Sequence, residues 1–275
     1  MLRPPEPVLV VDLFPAERAE LITLLEALSA EDWFRPTIAG TWTVKDVAAH
    51  LVADDLGRLS SRRDGYVERW NPLVEPLKTY IDRRNAEWVA ATRRLSPGVI
   101  RSLLAFGGLE TQRFFGSVDP FALGSPVSWA GPEPAPNWLD LARELTERWH
   151  HQEQIREAVG APSLNDPRFL RPILATFAFA LLPPYRQVEA PAGTAIQLAV
   201  EGRSGGDWTV FRNKDGWGLR IGRPDSPGGS IAMTEDTAWR MYVRALTRRE
   251  VEARSRLSGD PRLTGPMLDA FALVA

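Results

Sequence analysis

The run Glu147-Arg148-Trp149-His150-His151-Gln152-Glu153-Gln154-Ile155 decides how this chain is read. It lies within residues 137–159, where only helix-compatible side chains follow the Pro136-Asn137 entry. A helix turns once every ~3.6 residues, so side chains four apart share a face. Glu147 and His151 therefore aim a carboxylate and an imidazole at one point, and both are ligand types that zinc, nickel, iron or manganese accepts. The spacing is necessary for a metal site and far from sufficient.

Only three histidines occur, His50, His150 and His151. His50 lies on a second helix that the pattern starts at Val44, with Thr43 as N-cap and Asp46 placed for a capping box. Val44, Val47, Ala48 and Leu51 form that helix's apolar stripe, and at ~100° per residue His50 points away from its centre. In the later helix Trp138, Leu141, Leu145 and Trp149 form the stripe, and His151 again lies off it. Ligands at the margin of a stripe suit the open end of a bundle. His50, Glu147 and His151 would then be three protein ligands with positions left for water or substrate. His150, at i+3 from Glu147, is the reserve.

The segment Leu24 to Leu59, with Gly40-Thr41-Trp42-Thr43-Val44-Lys45-Asp46-Val47-Ala48-Ala49-His50-Leu51, Asp54-Asp55 and Arg58-Leu59, resembles the mycothiol-dependent maleylpyruvate isomerase family. So does Glu147, His151 and then Gln152-Glu153-Gln154-Ile155-Arg156. The resemblance implies α plus α+β architecture: an N-terminal DinB-like up-down helix bundle followed by a small C-terminal α+β, sterol-carrier-like domain. It also implies that His50, Glu147 and His151 hold a divalent metal, zinc foremost, and that mycothiol or a similar small thiol is the cosubstrate. Gln154 departs from the pattern, because many relatives carry an aspartate there.

The rest of the chain accords with two domains, 1–165 and 166–275. A net charge of −2 argues against nucleic acid and anionic membranes as partners. No apolar run reaches the ~20 residues a bilayer needs, and the start lacks the order of a secretory signal. Cysteine is absent, so any thiol must come from a small molecule, and a cytoplasmic location is expected. Whether the protein is a monomer or a dimer is open.

Helices are expected over 15–31, 44–63, 72 or 76–95, 99–115, 137–159 and 169–182. A proline-rich loop at 120–136 reads equally as a lid or as a rigid connector. Short strands follow at 195–201, 208–212, 217–221 and 230–233, then a helix over 235–246 capped by Thr234, and a terminal helix through Phe271.

In the resembling isomerases a thiol adds beside a carbonyl, a bond rotates and the thiol leaves. An arginine would hold a substrate carboxylate. Arg240 and Arg244 are the first candidates, with Arg220 and Arg223 behind them. Asp54, one turn past His50, would orient a ligand or a water. The reading is a metal- and thiol-dependent isomerase or S-transferase acting on a small electrophile. The alternatives are a metal-binding carrier or regulator, and an iron enzyme of thiol oxidation.

Overall fold

Thr43 starts the helix that carries His50. Its hydroxyl accepts the Asp46 amide, and the Asp46 carboxylate accepts the Thr43 amide at 3.1 Å, the reciprocal capping expected from the sequence. From that cap α2 runs Val44–Arg58 and continues as one wider helical turn, Leu59–Arg63. Gly65, at φ 70°, then ends it.

The structure is a computed structural model that describes residues 1–66, 70, 71 and 73–272. Helix α1 spans Phe14–Glu26 and stops short of the expected Glu31, because the Ser29 amide donates to the Asp32 carboxylate and turns the chain. Helix α3 spans Leu77–Thr92, preceded by Pro76; the alternative start at Pro72 lies outside the described residues. Helix α4 spans Pro97–Ser117, capped by Ser96, and α5 spans Asn137–Val159.

The chain divides into two compact units. One holds Val10–Asp119 and Glu147–Leu164; the other holds Met1–Leu9, Pro120–Thr146 and the chain from Asn165 onward. The sequence reading drew one cut at 165, whereas this division is discontinuous and α5 contributes to both units.

In the helical unit α2 packs against α3 and α4, and α1 packs against α4. Leu21, Leu25, Val44, Val47, Leu51, Ile100, Leu104 and Ile155 form its buried core, each worth about 1.5–3 kcal/mol of apolar burial. A buried ionic layer crosses this core. Asp55 accepts from Arg18 at 2.7 and 3.0 Å and from Arg148 at 2.8 Å. Helix α4 comes close enough to cover that layer because Gly107 and Gly108 lack side chains. A Cβ at Gly107 would stand 2.8 Å from Asp55, and one at Gly108 2.9 Å from Arg18.

The second unit carries a mixed five-stranded sheet in the order β3-β2-β1-β4-β5. The strands are β1 Ala195–Glu201, β2 Gly206–Arg212, β3 Trp217–Ile221, β4 Gly229–Thr234 and β5 Arg256–Gly259. Neighbours pair antiparallel except β1 and β4, which run parallel with Ile196 opposite Gly229. Ile196, Leu198 and Val200 alternate into the core of this unit. Helix α6, Pro167–Phe177, packs on α7, Glu235–Tyr242, which also lies against β1 and β4. The expected extension of α7 to Leu246 fails because Arg244 takes a left-handed φ of 54°. A further helix, α8, spans Arg248–Ala253, and the expected terminal helix is only the turns 261–269. Within the proline-rich segment, Gly124 donates to Ala135 and Asn137 to Ala122, while Val127 and Trp129 are buried. Those contacts make it a tied-down connector. Among the described residues no helix is long and apolar enough to cross a membrane.

Candidate metal centre

Helix α2 and the second half of α5 bring their polar flanks together within the helical unit. His50, Asp54 and His151 each offer a ligand atom within 4.8 Å of the other two. The His50 and His151 rings lie 4.6 Å apart between centroids and nearly perpendicular, so their edges converge without stacking. His50 Nε2 stands 3.4 Å from Asp54 Oδ2, and His151 Nε2 stands 4.0 Å from Glu147 Oε2. Each helix thus supplies one imidazole and one carboxylate at i, i+4 spacing.

These distances can be tested against an ion. Two donor atoms bound to one zinc at about 2.0–2.1 Å lie roughly 3.4 Å apart at a tetrahedral angle. The α2 pair stands at that separation, and the α5 pair needs to close by a fraction of an ångström. Two imidazoles and two carboxylates form a hard-to-borderline donor set suited to a divalent zinc, iron, manganese or nickel ion. His50 Nδ1 is buried without a hydrogen-bond partner. The donor chemistry fits a metal, and the His50, Asp54 and His151 donor atoms lie within 4.8 Å of one another, near the span of one ion's ligands.

Burial sets the protonation. His50 and His151 are 6% and 9% exposed, so they do not sit at an open rim as the helical wheel implied. The carboxylates are wetter, with side-chain exposures of 31% for Asp54 and 22% for Glu147. Burial, then the neighbouring His50 and His150, push His151 well below the usual imidazole range, against a raising bond to Gln154. Burial alone pushes His150 down to about 4. Both are therefore neutral near pH 7, the form in which imidazole ligates.

The adjacent residues hold these rings. Trp42 packs on His50 at 5.0 Å. His151 Nδ1 meets Gln154 Oε1 at 2.8 Å, and Gln154 Nε2 meets His150 Nε2 at 2.9 Å. His150 is buried beside the cluster and outside it, so the i+4 spacing, not i+3, brings a histidine to His50. The sequence reading made Glu147 a ligand and gave Asp54 a supporting role, whereas the structure places Asp54 in the three-residue cluster and Glu147 beside it, 4.0 Å from His151 Nε2. The signal was present in its i+4 spacing from His50, the same as between Glu147 and His151.

The arginines named from sequence belong to the other unit. Arg240 Nε pairs with Asp236 at 3.0 Å, and its guanidinium lies 4.3 Å from the Trp239 ring. The Arg244 guanidinium lies 4.2 Å from the Phe271 ring. Arg223 pairs with Asp207 at 2.9 Å, and Arg220 donates to the Leu219 carbonyl at 3.0 Å.

Comparison with known proteins bears on the whole arrangement. The family model described as the mycothiol maleylpyruvate isomerase N-terminal domain matches residues 14–156, just over half of the chain. Among curated proteins none matches in sequence. The crystal structure of the mycothiol-dependent maleylpyruvate isomerase superposes with a TM-score of 0.52 at 13% identity, covering 84% of this chain and 86% of that one. The structure of a histidine-to-alanine mutant of the mycothiol-dependent maleylpyruvate isomerase gives a TM-score of 0.51 at 14% identity over the same shares. At such identity the likeness speaks for the fold, helical region and small sheet together.

Proposed function

Because the chain belongs to the mycothiol maleylpyruvate isomerase N-terminal domain family, we propose that it is a metal-dependent enzyme using a small thiol of the mycothiol kind. Its reaction would be isomerisation of, or S-transfer to, a small electrophile whose double bond is conjugated to a carbonyl. The observation that carries this reading is the convergence of His50, Asp54 and His151, with Glu147 at 4.0 Å from His151.

A divalent ion held there would lower the pKa of a bound thiol and polarise a carbonyl oxygen. The chain's own residues do the rest. His50 and His151 supply nitrogen lone pairs, and burial keeps the His151 ring neutral. Asp54 and Glu147 offset the ion's charge, and the more exposed Asp54 can take the proton that the thiol releases. The thiolate then adds to the alkene carbon conjugated with the carbonyl, and the π pair moves to the oxygen. The resulting single bond rotates. Collapse of the enolate reforms the alkene and expels the thiolate, with no net redox change. In the S-transfer variant the adduct takes the proton and is kept. A protein without cysteine can offer no thiol of its own in this role.

The experiment is elemental analysis of the native protein, with turnover assayed using mycothiol, bacillithiol and glutathione against unsaturated acids and epoxides. Stoichiometric metal and thiol-dependent turnover lost in His50→Ala are expected. Stoichiometric metal with no turnover of any pair would favour a carrier or regulator. Oxygen consumption on adding thiol would favour iron-dependent thiol oxidation.

A further inference from the structure

Gln154 touches two histidines at once, and its amide is chemically asymmetric. Cα–Cβ bonds lean toward a helix's N-terminus, so a residue at i+3 or i+4 lays its side chain back over the turn before it. From one turn further along α5, Gln154 therefore reaches both His151 at i−3 and His150 at i−4. Its oxygen lies 2.8 Å from His151 Nδ1 and its nitrogen 2.9 Å from His150 Nε2. All three residues are buried.

We propose that Gln154 is a positioning residue that fixes the tautomer of His151, with His150 seated against the other end of its amide. The inference rests on the metal reading of His151. An amide oxygen only accepts, so His151 must carry its proton on Nδ1. Nε2, the atom facing Glu147, then keeps its lone pair for a cation. An amide nitrogen only donates, so His150 must present a bare Nε2 and hold its own proton on Nδ1. With the amide reversed, His151 would lose the Nδ1 proton to Nε2, and that nitrogen could not ligate. The clamp is neutral, so it orients His151 without adding a further carboxylate beside Asp54 and Glu147.

Three histidines make the test tractable by 15N-histidine NMR on the full metal-free chain, with peaks assigned by His50→Ala and His151→Ala. Wild type should show His151 protonated at Nδ1 and His150 also at Nδ1. In Gln154→Leu the His151 tautomer should become mixed, and zinc affinity by chelator competition should fall about 10–100-fold, as loss of an outer-shell partner does. In Gln154→Glu, which accepts but does not donate, His151 should stay protonated at Nδ1 with zinc affinity within a few-fold of wild type. His150 should then switch its proton to Nε2. His151 protonated at Nε2 in wild type would overturn the proposal, and that spectrum decides even where Gln154→Leu does not fold. Unchanged zinc affinity in folded Gln154→Leu would also overturn it. Wild type that binds no zinc would instead remove the metal reading, while the wild-type tautomers still report on the clamp.

Discussion

Asp54 and Asp55 are neighbours on α2, as Glu147 and Arg148 are on α5, yet the two pairs serve opposite purposes. Asp55 is fully buried and accepts from the guanidiniums of Arg18 and Arg148, which come from different helices. Arg18 also donates to the Leu104 carbonyl at 2.6 Å, and the Arg148 guanidinium lies 5.4 Å from the Phe14 and Phe115 rings. Positive and negative groups alternate there, and Asp55 is satisfied by both guanidiniums. The cluster one residue away gathers only lone-pair donors, the His50 and His151 imidazoles and the Asp54 carboxylate, with the Glu147 carboxylate 4.0 Å from His151. A helix bundle can bury charge in either pattern. The first holds helices together, and the second is the pattern we propose holds a cation.

The comparison is broken or upheld by crossing the two readouts. Asp55→Ala should destabilise the protein by about 3–5 kcal/mol in urea unfolding, because it strands two buried guanidiniums. Asp54→Ala should lie within roughly 0.5 kcal/mol of wild type in stability, yet weaken metal binding. Equal losses of stability in the two would erase the distinction. On α5, His151→Ala should lose stoichiometric metal by elemental analysis, whereas His150→Ala should retain it. The reverse would move the ligand register by one residue.

A smaller effect probes how α4 seats on the ionic layer. Gly107→Ala places a Cβ 2.8 Å from Asp55, against a carboxylate already held by two arginines. The overpacking outweighs the gain in helix propensity, for a net loss of about 1–2 kcal/mol. Gly116, on the same helix, would set its Cβ in open space. Gly116→Ala should therefore stabilise by about 0.5–1 kcal/mol. Thermal unfolding of both variants checks the sign of each.

Much of the site was legible because it is local. Thr43 with Asp46, and Glu147 with His151, are relations within one helix, and periodicity reports these directly. The Arg18–Asp55–Arg148 layer was not legible, since its members lie far apart in sequence and each reads alone as a solvated helix charge. Strand β5 escaped for a different reason: all of Arg256–Gly259 is exposed, so no alternation marks it, and only backbone pairing with β4 defines it. Helix α8 did carry a local signal, the Thr247–Glu250 capping box, which went unread beside the stronger pattern of α7. The early end of α7 depends on the left-handed Arg244, a conformation no residue pattern announces.

Glu17 gives the finest test of the two-pattern view, because it belongs to the ionic layer and is not satisfied there. It is fully buried, and neither carboxylate oxygen has a hydrogen-bond partner. Burial raises its pKa above the ordinary glutamate value, against the lowering pull of Arg18 and Arg148. A carboxyl whose folded pKa is raised contributes its full stability below the unfolded value, ~4.5, and loses it as pH rises through the folded value. At pH 8 wild type should therefore carry a penalty that Glu17→Gln removes, a gain on the order of 1–3 kcal/mol for a buried charged group without partners. The gain should shrink as pH falls and vanish near pH 4.5. Urea unfolding of both proteins from pH 4.5 to 8 measures this directly. Wild type more stable than Glu17→Gln at pH 8 would mean that the ionised carboxylate is held by its arginine neighbours. The ionic layer would then be saturated throughout, and its contrast with the cation cluster sharper than the hydrogen bonds alone make it.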